Sequence, residues 1–446
     1  MSELNREQLR ASRADTGVSL VIAGAGTGKT RTLVEKATGV IRDLKMDPEG
    51  LLMLTFSRKA AGELRERVAA GAGVRARAIG VGTFHSFCLD LLRRHEAAFL
   101  EQRGASRFPA VIAAEEREAV MRGLIQRELP RFLGLPAGIV YGLASGKGPL
   151  DPWKRDRLAK TGLAAQLSLL ERQFEEIKRE RNLIDYDDMM ECALSLLAVD
   201  ARVRAEELAR HRFVFVDEFQ DVAEDNIRLL KLLLPDSGGN LFAVGDDWQS
   251  IYGFRGADVG YIVRMREHFP GVEVHRLDVN YRSRREIVSL TNRFIRRNRF
   301  RTAKRLRSHR GKGGVVLFHV ARDFEREAEI IQGILAGLRE GLTVAVLYRN
   351  NWQGRYIRER LGADEPGRVS FMTMHASKGL EFDCVIVAGI CDGVIPDPDS
   401  GIEEERRLLY VACTRARDEL HIIAHLNERE EVGRFGRELG IQGENN

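Results

Sequence analysis

Two series of short apolar runs, each separated by amphipathic stretches, dominate the pattern of the chain. In the first series SLVIA, LLMLTF, FVFVDE, LFAVGD and HRLDV read as strands; in the second VVLFHV, TVAVLYR, VSFMTM, CVIVAG and HIIAH do. Helix-compatible patterns fall between them. Short, β-branched strands divided by helices predict parallel sheets covered on both faces. From about Leu89 to Leu208 the pattern reads as nearly all helix, with no convincing strand. The predicted organisation is α/β: two blocks with parallel sheets and a mostly helical insert. Repeats and low-complexity linkers are not evident.

Composition narrows the class. With 446 residues, 44% hydrophobic and 30% charged, the chain has apolar material for several cores and does not read as a disordered tail. No apolar run approaches the ~20 residues of a membrane span. The polar start MSELNREQLR does not resemble a signal peptide, so a soluble, cytoplasmic protein is expected. Five scattered cysteines (Cys88, Cys192, Cys384, Cys391, Cys413) form no Cys-x-x-Cys pair. That argues against a disulfide framework and against a zinc site, and each reads as a reduced core residue. A net charge of +5 is too mild to imply a polyanionic partner. Arginine outnumbers lysine 58 to 12, a ratio read first as coding bias, so where the arginines fall matters more than their number.

Chemistry enters with AGAGTGKT, Ala23 to Thr30, which follows the run VSLVIA and precedes a helix-compatible stretch. Strand, glycine-rich loop and helix together are what a phosphate-binding loop requires. Ala23, Gly24, Ala25, Gly26, Thr27 and Gly28 would wrap backbone N–H groups around a polyphosphate. Lys29 would neutralise the β/γ oxygens and Thr30 would ligate Mg²⁺. The run FVFVDEFQD supplies the remaining needs of a nucleotide hydrolase. Asp217, at the end of an apolar strand, can hold Mg²⁺ through water, and Glu218 can orient or deprotonate the attacking water. Lys29 and Asp217 stand 188 residues apart, far more than one crossover needs, so the helical block is inserted between the two halves of one site.

Further segments follow in a fixed order: LNREQLRA, LTFSRKAAGELRERV, VGTFHSF, VDEFQD, GDDWQSIYGFRGAD, LDVNYRS, TMHASKGLEFD and EERRLLYVACTRA. With the phosphate loop they resemble the motifs of superfamily-1 DNA helicases of the UvrD/Rep group. DEFQD, LFAVGDDWQ and TNRFIRRN are most similar to the helicase IV branch. The resemblance implies two RecA-like P-loop NTPase lobes, the first from residues 1–88 and 209–277 and the second from 278–446, with a helical accessory insert at 89–208. It also implies ATP and Mg²⁺ as cofactors. Single-stranded DNA and its junctions with duplex would be the partner, alongside repair or replication proteins, in a cytoplasmic, nucleoid-associated setting.

Residue by residue, the resemblance implies that Gln8 and Arg31 read the adenine end, Tyr281 stacks on the base and Glu381 meets the ribose side. Gln249 would sense the γ-phosphate. Arg282 and Arg415 would act as arginine fingers of the second lobe, since charge developing on transferring phosphoryl oxygens calls for planar cations. For DNA the candidates are Phe56, Thr83, His85, Tyr252, Phe254, Arg255, Thr373 and His375, because a sequence-independent motor needs backbone contacts and aromatic stacking platforms. Phe56 and Phe254 can also be read as core residues, and His85 and His375 as ordinary hydrogen-bonded histidines.

Departures from the family pattern carry expectations of their own. Gly253 stands where many relatives have Arg, and Phe254 where many have Trp. Tyr281 and Thr373 are 92 residues apart, an interval that strand and helix patterns fill, leaving no room for the large 2B accessory domain. The resemblance therefore leads one to expect the motor with one accessory insert, without a long tail, a nuclease domain or the N-terminal extension of a full helicase IV. Between Glu286 and Asp323 lie eleven Lys/Arg, among them Arg293, Arg296 and Lys304, and no acid. Such a strip is either a solvated face or a phosphate-binding track. The acids of IDYDDMM suggest no metal site.

The leading expectation is an ATP-driven 3′→5′ single-strand DNA translocase and helicase, its polarity taken from the resemblance. One alternative is a remodeller that strips proteins from DNA with little unwinding; another is an ATP-switched clamp that does not travel. Backbone and stacking contacts do not themselves separate DNA from RNA.

Overall fold

The computed structural model describes the chain except residues 1–3, 14–15, 74–77, 131–139, 141–162, 237, 363–368, 399 and 443–446. Much of the middle of the expected helical insert therefore lies outside the described residues. The strands in chain order are β1 (Val18–Ala23), β2 (Leu51–Thr55), β3 (Gly80–Thr83), β4 (Ala110–Val111), β5 (Leu183–Ile184), β6 (Phe213–Val216), β7 (Asn240–Gly245) and β8 (Glu273–Leu277). They continue as β9 (Val279–Asn280), β10 (Arg307–Ser308), β11 (Val315–Ala321), β12 (Val344–Tyr348), β13 (Val369–Thr373), β14 (Phe382–Ile390) and β15 (Ala416–His425).

The six-stranded sheet has the order β3-β2-β6-β7-β1-β8, with β3, β2, β6 and β7 paired in parallel. Every residue of β2 and β6 is buried, and every residue of β1 after Val18. Unbroken apolar runs of this kind belong to strands covered on both faces, as the sequence implies. The five-stranded sheet, β11-β15-β14-β12-β13, is parallel throughout. Its alternation is legible in two separate cores. Ala345, Leu347, Val385, Val387, Leu420 and Ile422 pack on one side. Val344, Val346, Cys384, Ile386 and Ile423 pack on the other.

In the insert, Met121, Leu124 and Ile125 of the helix Ala114–Glu128 share a core with Leu170 and Phe174 of the helix Leu163–Glu180. One correction applies here. The expectation of nearly all helix misses β4 and β5, which pair in parallel at Ala110↔Leu183 and Val111↔Ile184. A two-residue strand is too short to show a period of two, and its pairing is set by partners far along the chain. The acids of IDYDDMM have structural partners. Asp185 caps the helix Tyr186–Val199, and the buried Lys178 Nζ reaches Asp185 at 3.1 Å and Asp188 at 2.8 Å.

By their contacts the residues gather into two units. The first comprises Met1–Val21, Thr30–Gly245 and Tyr252–His275; the second Ile22–Lys29, Asp246–Ile251 and Arg276–Asn446. Among the described residues no helix is long and apolar enough to cross a membrane.

Candidate functional site

In the first unit the helix Lys29–Arg42 carries Thr30 in its first turn, and Asp217 directly follows β6. The Thr30 hydroxyl donates to Asp217 Oδ2 at 3.3 Å, so two hard oxygen ligands converge although 187 residues separate them. A threonine hydroxyl and a carboxylate suit Mg²⁺, which keeps several waters and takes its other ligands from phosphate oxygens. Glu218 adopts φ 54° and ψ 41°, the left-handed region that a non-glycine residue enters at a cost of about 1–3 kcal/mol. Its N–H donates to Asp217 Oδ1 at 2.9 Å, and Gln220 Nε2 donates to its Oε2 at 2.6 Å. The carboxylate is thus aimed by a strained backbone and a neighbouring amide. Gln8 is buried, and its Oε1 accepts from Asn5 N–H at 3.0 Å, closing the cap of the helix Arg6–Ser12. Arg31 lies half-buried in the first turn of Lys29–Arg42.

The phosphate loop falls in the second unit. Gly26 has φ +67°, and a Cβ there would lie 2.7 Å from the Arg282 Cβ, so conformation and space both demand glycine. Thr27 Oγ1 donates to Gly24 O at 2.9 Å across the turn. Asn280 Nδ2 donates to Ala25 O at 2.7 Å and Tyr281 N–H to Gly26 O at 2.8 Å. A trans peptide opposes its C=O to the next N–H. Tying these carbonyls to VNYRS therefore turns the Gly26 and Thr27 amides away from that segment.

Arg282 lies beside this loop. Its Nε donates to Glu381 Oε2 at 2.8 Å and its Nη1 to Thr414 O at 3.2 Å. Tyr281 is exposed, its ring 4.8 Å from that of His309. Arg415 is only 1% exposed and donates from Nη2 to Gln249 Oε1 at 2.9 Å, from Nε to Val411 O and from Nη1 to Leu380 O. The Gln249 amide donates to Asp246 Oδ2. Asp246 in turn pairs with Lys304, whose Nζ also reaches Asp247 Oδ1 at 2.7 Å. Burial pulls the Lys304 pKa down, but the two carboxylates outweigh it and the net shift is upward. The same ammonium lies 4.6 Å from the centre of the Trp248 ring. Lys378 donates to Gln249 O at 3.1 Å.

The DNA candidates are placed as follows. In the first unit, Phe56 and Phe254 are exposed, at 37% and 36%, so neither is a core residue. The Phe56 ring lies 5.3 Å from Phe84, and Phe254 lies 5.9 Å from Tyr252. The Arg255 guanidinium sits 5.1 Å from the Tyr252 ring and 5.4 Å from that of Phe254. Thr83 caps the helix Phe84–Arg94 by accepting from Ser86 N–H. His85 packs edge-on against Tyr186 at 5.4 Å, and burial, partly opposed by Asp187, lowers its pKa. In the second unit, Thr373 ends β13 and accepts from Ala376 N–H at 3.2 Å; His375 is half-buried in the turn that follows.

The basic strip divides. Lys304 is buried, whereas Arg293, Arg296, Arg305, Arg307 and Lys312, with Arg285 just before the strip, line an open groove of about 650 Å³ in the second unit. The sequence did not single out Asn280, Gln220, Asp246 or Lys378, and it placed Lys304 in the basic strip without a role of its own. The first four lie inside segments already marked as motifs, so the signal was present; Lys304 was hidden among other cations.

Residues 4–270 match the UvrD/REP helicase N-terminal domain, and residues 275–365 and 359–427 the UvrD-like helicase C-terminal domain. Among curated relatives, the ATP-dependent DNA helicase PcrA of Leuconostoc citreum is 32% identical over 367 residues, covering 80% of this chain and 48% of that protein. The putative ATP-dependent DNA helicase YjcD of Bacillus subtilis is 32% identical over 366 residues, 80% of this chain and 47% of its own length. PcrA of Staphylococcus aureus is 31% identical over 372 residues, again 80% of this chain and 49% of the relative. The chain spans about half the length of the curated relatives it matches. Two family domains, covering nearly the whole sequence and carrying the phosphate loop, the Asp217–Glu218 pair and both motif arginines, place the chain in the UvrD/Rep helicase family.

Proposed function

We propose that this chain is an ATP-hydrolysing motor that moves 3′→5′ along single-stranded DNA and separates strands at junctions with duplex. Its setting would be the cytoplasmic nucleoid, in repair, recombination or replication. The observation that carries the reading is Glu218, held in the left-handed region with Gln220 on its carboxylate. A strained and oriented acid serves water activation, which a nucleotide-switched clamp does not need.

In this reading Lys29 and the loop amides hold the ATP phosphates, and Glu218 positions the attacking water. Arg282 and Arg415 stabilise the charge of the transferring phosphoryl group, and Gln249 reports its presence. Thr30 and Asp217 hold Mg²⁺, which neutralises phosphate charge when bound. Gln8 and Arg31 serve the adenine end, Tyr281 stacks on the base, and Glu381 meets the ribose side while also holding Arg282. Phe56, Tyr252 and Phe254 offer stacking faces, with Thr83, His85, Arg255, Thr373 and His375 as strand contacts. The basic groove gives a further grip on phosphates.

The 92-residue interval from Tyr281 to Thr373 favours a second reading beside the first. A motor without the large accessory domain would translocate well and unwind weakly, which suits stripping of bound protein. Partial duplexes with a 3′ or a 5′ single-stranded tail, assayed for unwinding with ATP turnover measured alongside, test the first reading. Displacement of a protein roadblock on the same DNA tests the second. Unwinding that requires the 3′ tail supports the helicase. Protein displacement without unwinding supports the remodeller. ATP binding with neither activity would support a clamp.

A further inference from the structure

The second unit contains a group of potential metal ligands that the nucleotide chemistry does not use. Cys384 Sγ, a Glu419 carboxylate oxygen and a ring nitrogen of His421 all lie within 4.8 Å of one another. Sheet register explains the meeting. Cys384 is the partner of Glu419 across β14 and β15, and Glu419 and His421 are two apart on β15, so all three project to the same face. Cys384 is fully buried, His421 is 6% exposed, and the Glu419 side chain is largely covered.

The imidazole makes this more than a chance cluster. His421 Nδ1 faces His319 Nε2 at 3.1 Å, from the neighbouring strand β11. Its Nε2 is buried and has no hydrogen-bond partner. Native interiors rarely leave such an atom unsatisfied. In the tautomer whose Nδ1–H donates to His319 Nε2, the buried Nε2 of His421 would present a lone pair. That is how a metal-bound histidine is normally held, its second nitrogen fixed by an outer partner.

We propose that Cys384, Glu419 and His421 form a binding site for a thiolate-preferring divalent cation of the zinc class, with His319 as the group that orients His421. One sulfur, one nitrogen and one carboxylate oxygen are zinc-type ligands, and a water completes a tetrahedron. Ligand atoms around tetrahedral zinc sit roughly 3.5 Å apart, so modest side-chain rotations close the site. Binding replaces the thiol proton of Cys384, which leaves to solvent. The lack of a Cys-x-x-Cys pair does not bear on ligands that strand pairing brings together. Placement suggests a purpose: Cys384 lies three residues after Glu381, and Glu419 four after Arg415. A cation here would pin the first residues of two strands that directly follow Glu381 and Arg415 of the proposed ATP set.

The test uses the whole chain, freed of metal with a chelator and dialysed, without nucleotide or Mg²⁺. Titration with Co²⁺ should produce a thiolate-to-cobalt charge-transfer band that saturates at one ion per chain and is bleached by Zn²⁺. Zn²⁺ in hundredfold excess over its Kd should raise Tm by about 5 °C. Cys384→Ser should abolish the band, and His319→Phe should weaken Co²⁺ binding about 10- to 100-fold while leaving the band shape. A wild-type chain without the band, or a band that survives Cys384→Ser, would overturn the proposal. The wild-type spectrum decides even if a variant fails to fold.

Discussion

Arg415 donates to Gln249 Oε1 at 2.9 Å from a position almost wholly removed from solvent. The contact is one link of a buried chain within the second unit: Arg415 to Gln249, Gln249 to Asp246, Asp246 to Lys304. A buried guanidinium costs a great deal unless its donors are used, and here Val411 O and Leu380 O take two more.

Arg415→Lys tests whether this guanidinium is an arginine finger. Lysine keeps the charge but has no planar fork. Turnover should fall by about 10³-fold, the lower end for losing such a group, while nucleotide affinity stays within a few-fold. Steady-state ATPase beside a nucleotide-binding titration measures both. Retained turnover would assign Arg415 to structure alone.

Glu218→Gln should still bind ATP with Mg²⁺ but turn over at least ~10²-fold more slowly, the scale of a lost general base. Lys29→Ala should abolish nucleotide-dependent activity altogether. Single-turnover hydrolysis checks the first, and its persistence at the wild-type rate would require another group to activate water.

Lys304 offers a stability prediction with a pH signature. Lys304→Met leaves Asp246 and Asp247 buried without their cation and should cost about 3–5 kcal/mol at neutral pH. The native pKa is raised above its ordinary 10.5. Stability from this pair is therefore fully present below about pH 10.5 and is lost as pH rises through the native value. Denaturant titrations should show a constant gap between wild type and variant up to about pH 10.5, narrowing above it. A gap unchanged at higher pH would contradict the assignment.

Phe254 separates motor from fuel. With Phe254 36% exposed, Phe254→Ala should cost about 1 kcal/mol of stability, short of the ~3–5 kcal/mol of a core phenylalanine. Loss of one stacking platform, worth ~1–3 kcal/mol, should weaken single-strand affinity roughly ten- to a hundredfold. Basal ATPase should hold within a few-fold while DNA stimulation collapses at subsaturating DNA, and Phe254→Trp should restore it. A large melting drop with parallel loss of basal turnover would sink the stacking role.

What the sequence made legible follows from how local each signal is. The strand, loop and helix from Val18 to Arg42 were readable because apolar run, glycines and helix adjoin one another. β4 and β5 were not, since two residues carry no period. Lys304 was masked by its neighbours: only the fold brings it to Asp246 and Asp247, more than fifty residues earlier, and nothing local distinguishes it from Arg301 or Arg305. The Phe254 side chain was ambiguous for the opposite reason. An aromatic after a strand fits either core or platform, and burial, which decides, is a tertiary property.

Directional motion fuelled by ATP is the centre of the account, and pre-steady-state translocation tests it most directly. Protein preloaded on oligodeoxynucleotides of increasing length, fluorescently labelled at one end, is started with ATP and Mg²⁺ in the presence of a trap. With the label at the 5′ end, the signal should appear after a lag that lengthens in proportion to oligonucleotide length; with the label at the 3′ end it should decay without a lag. Length-independent signals from both labels, with ATP hydrolysis intact, would contradict the account.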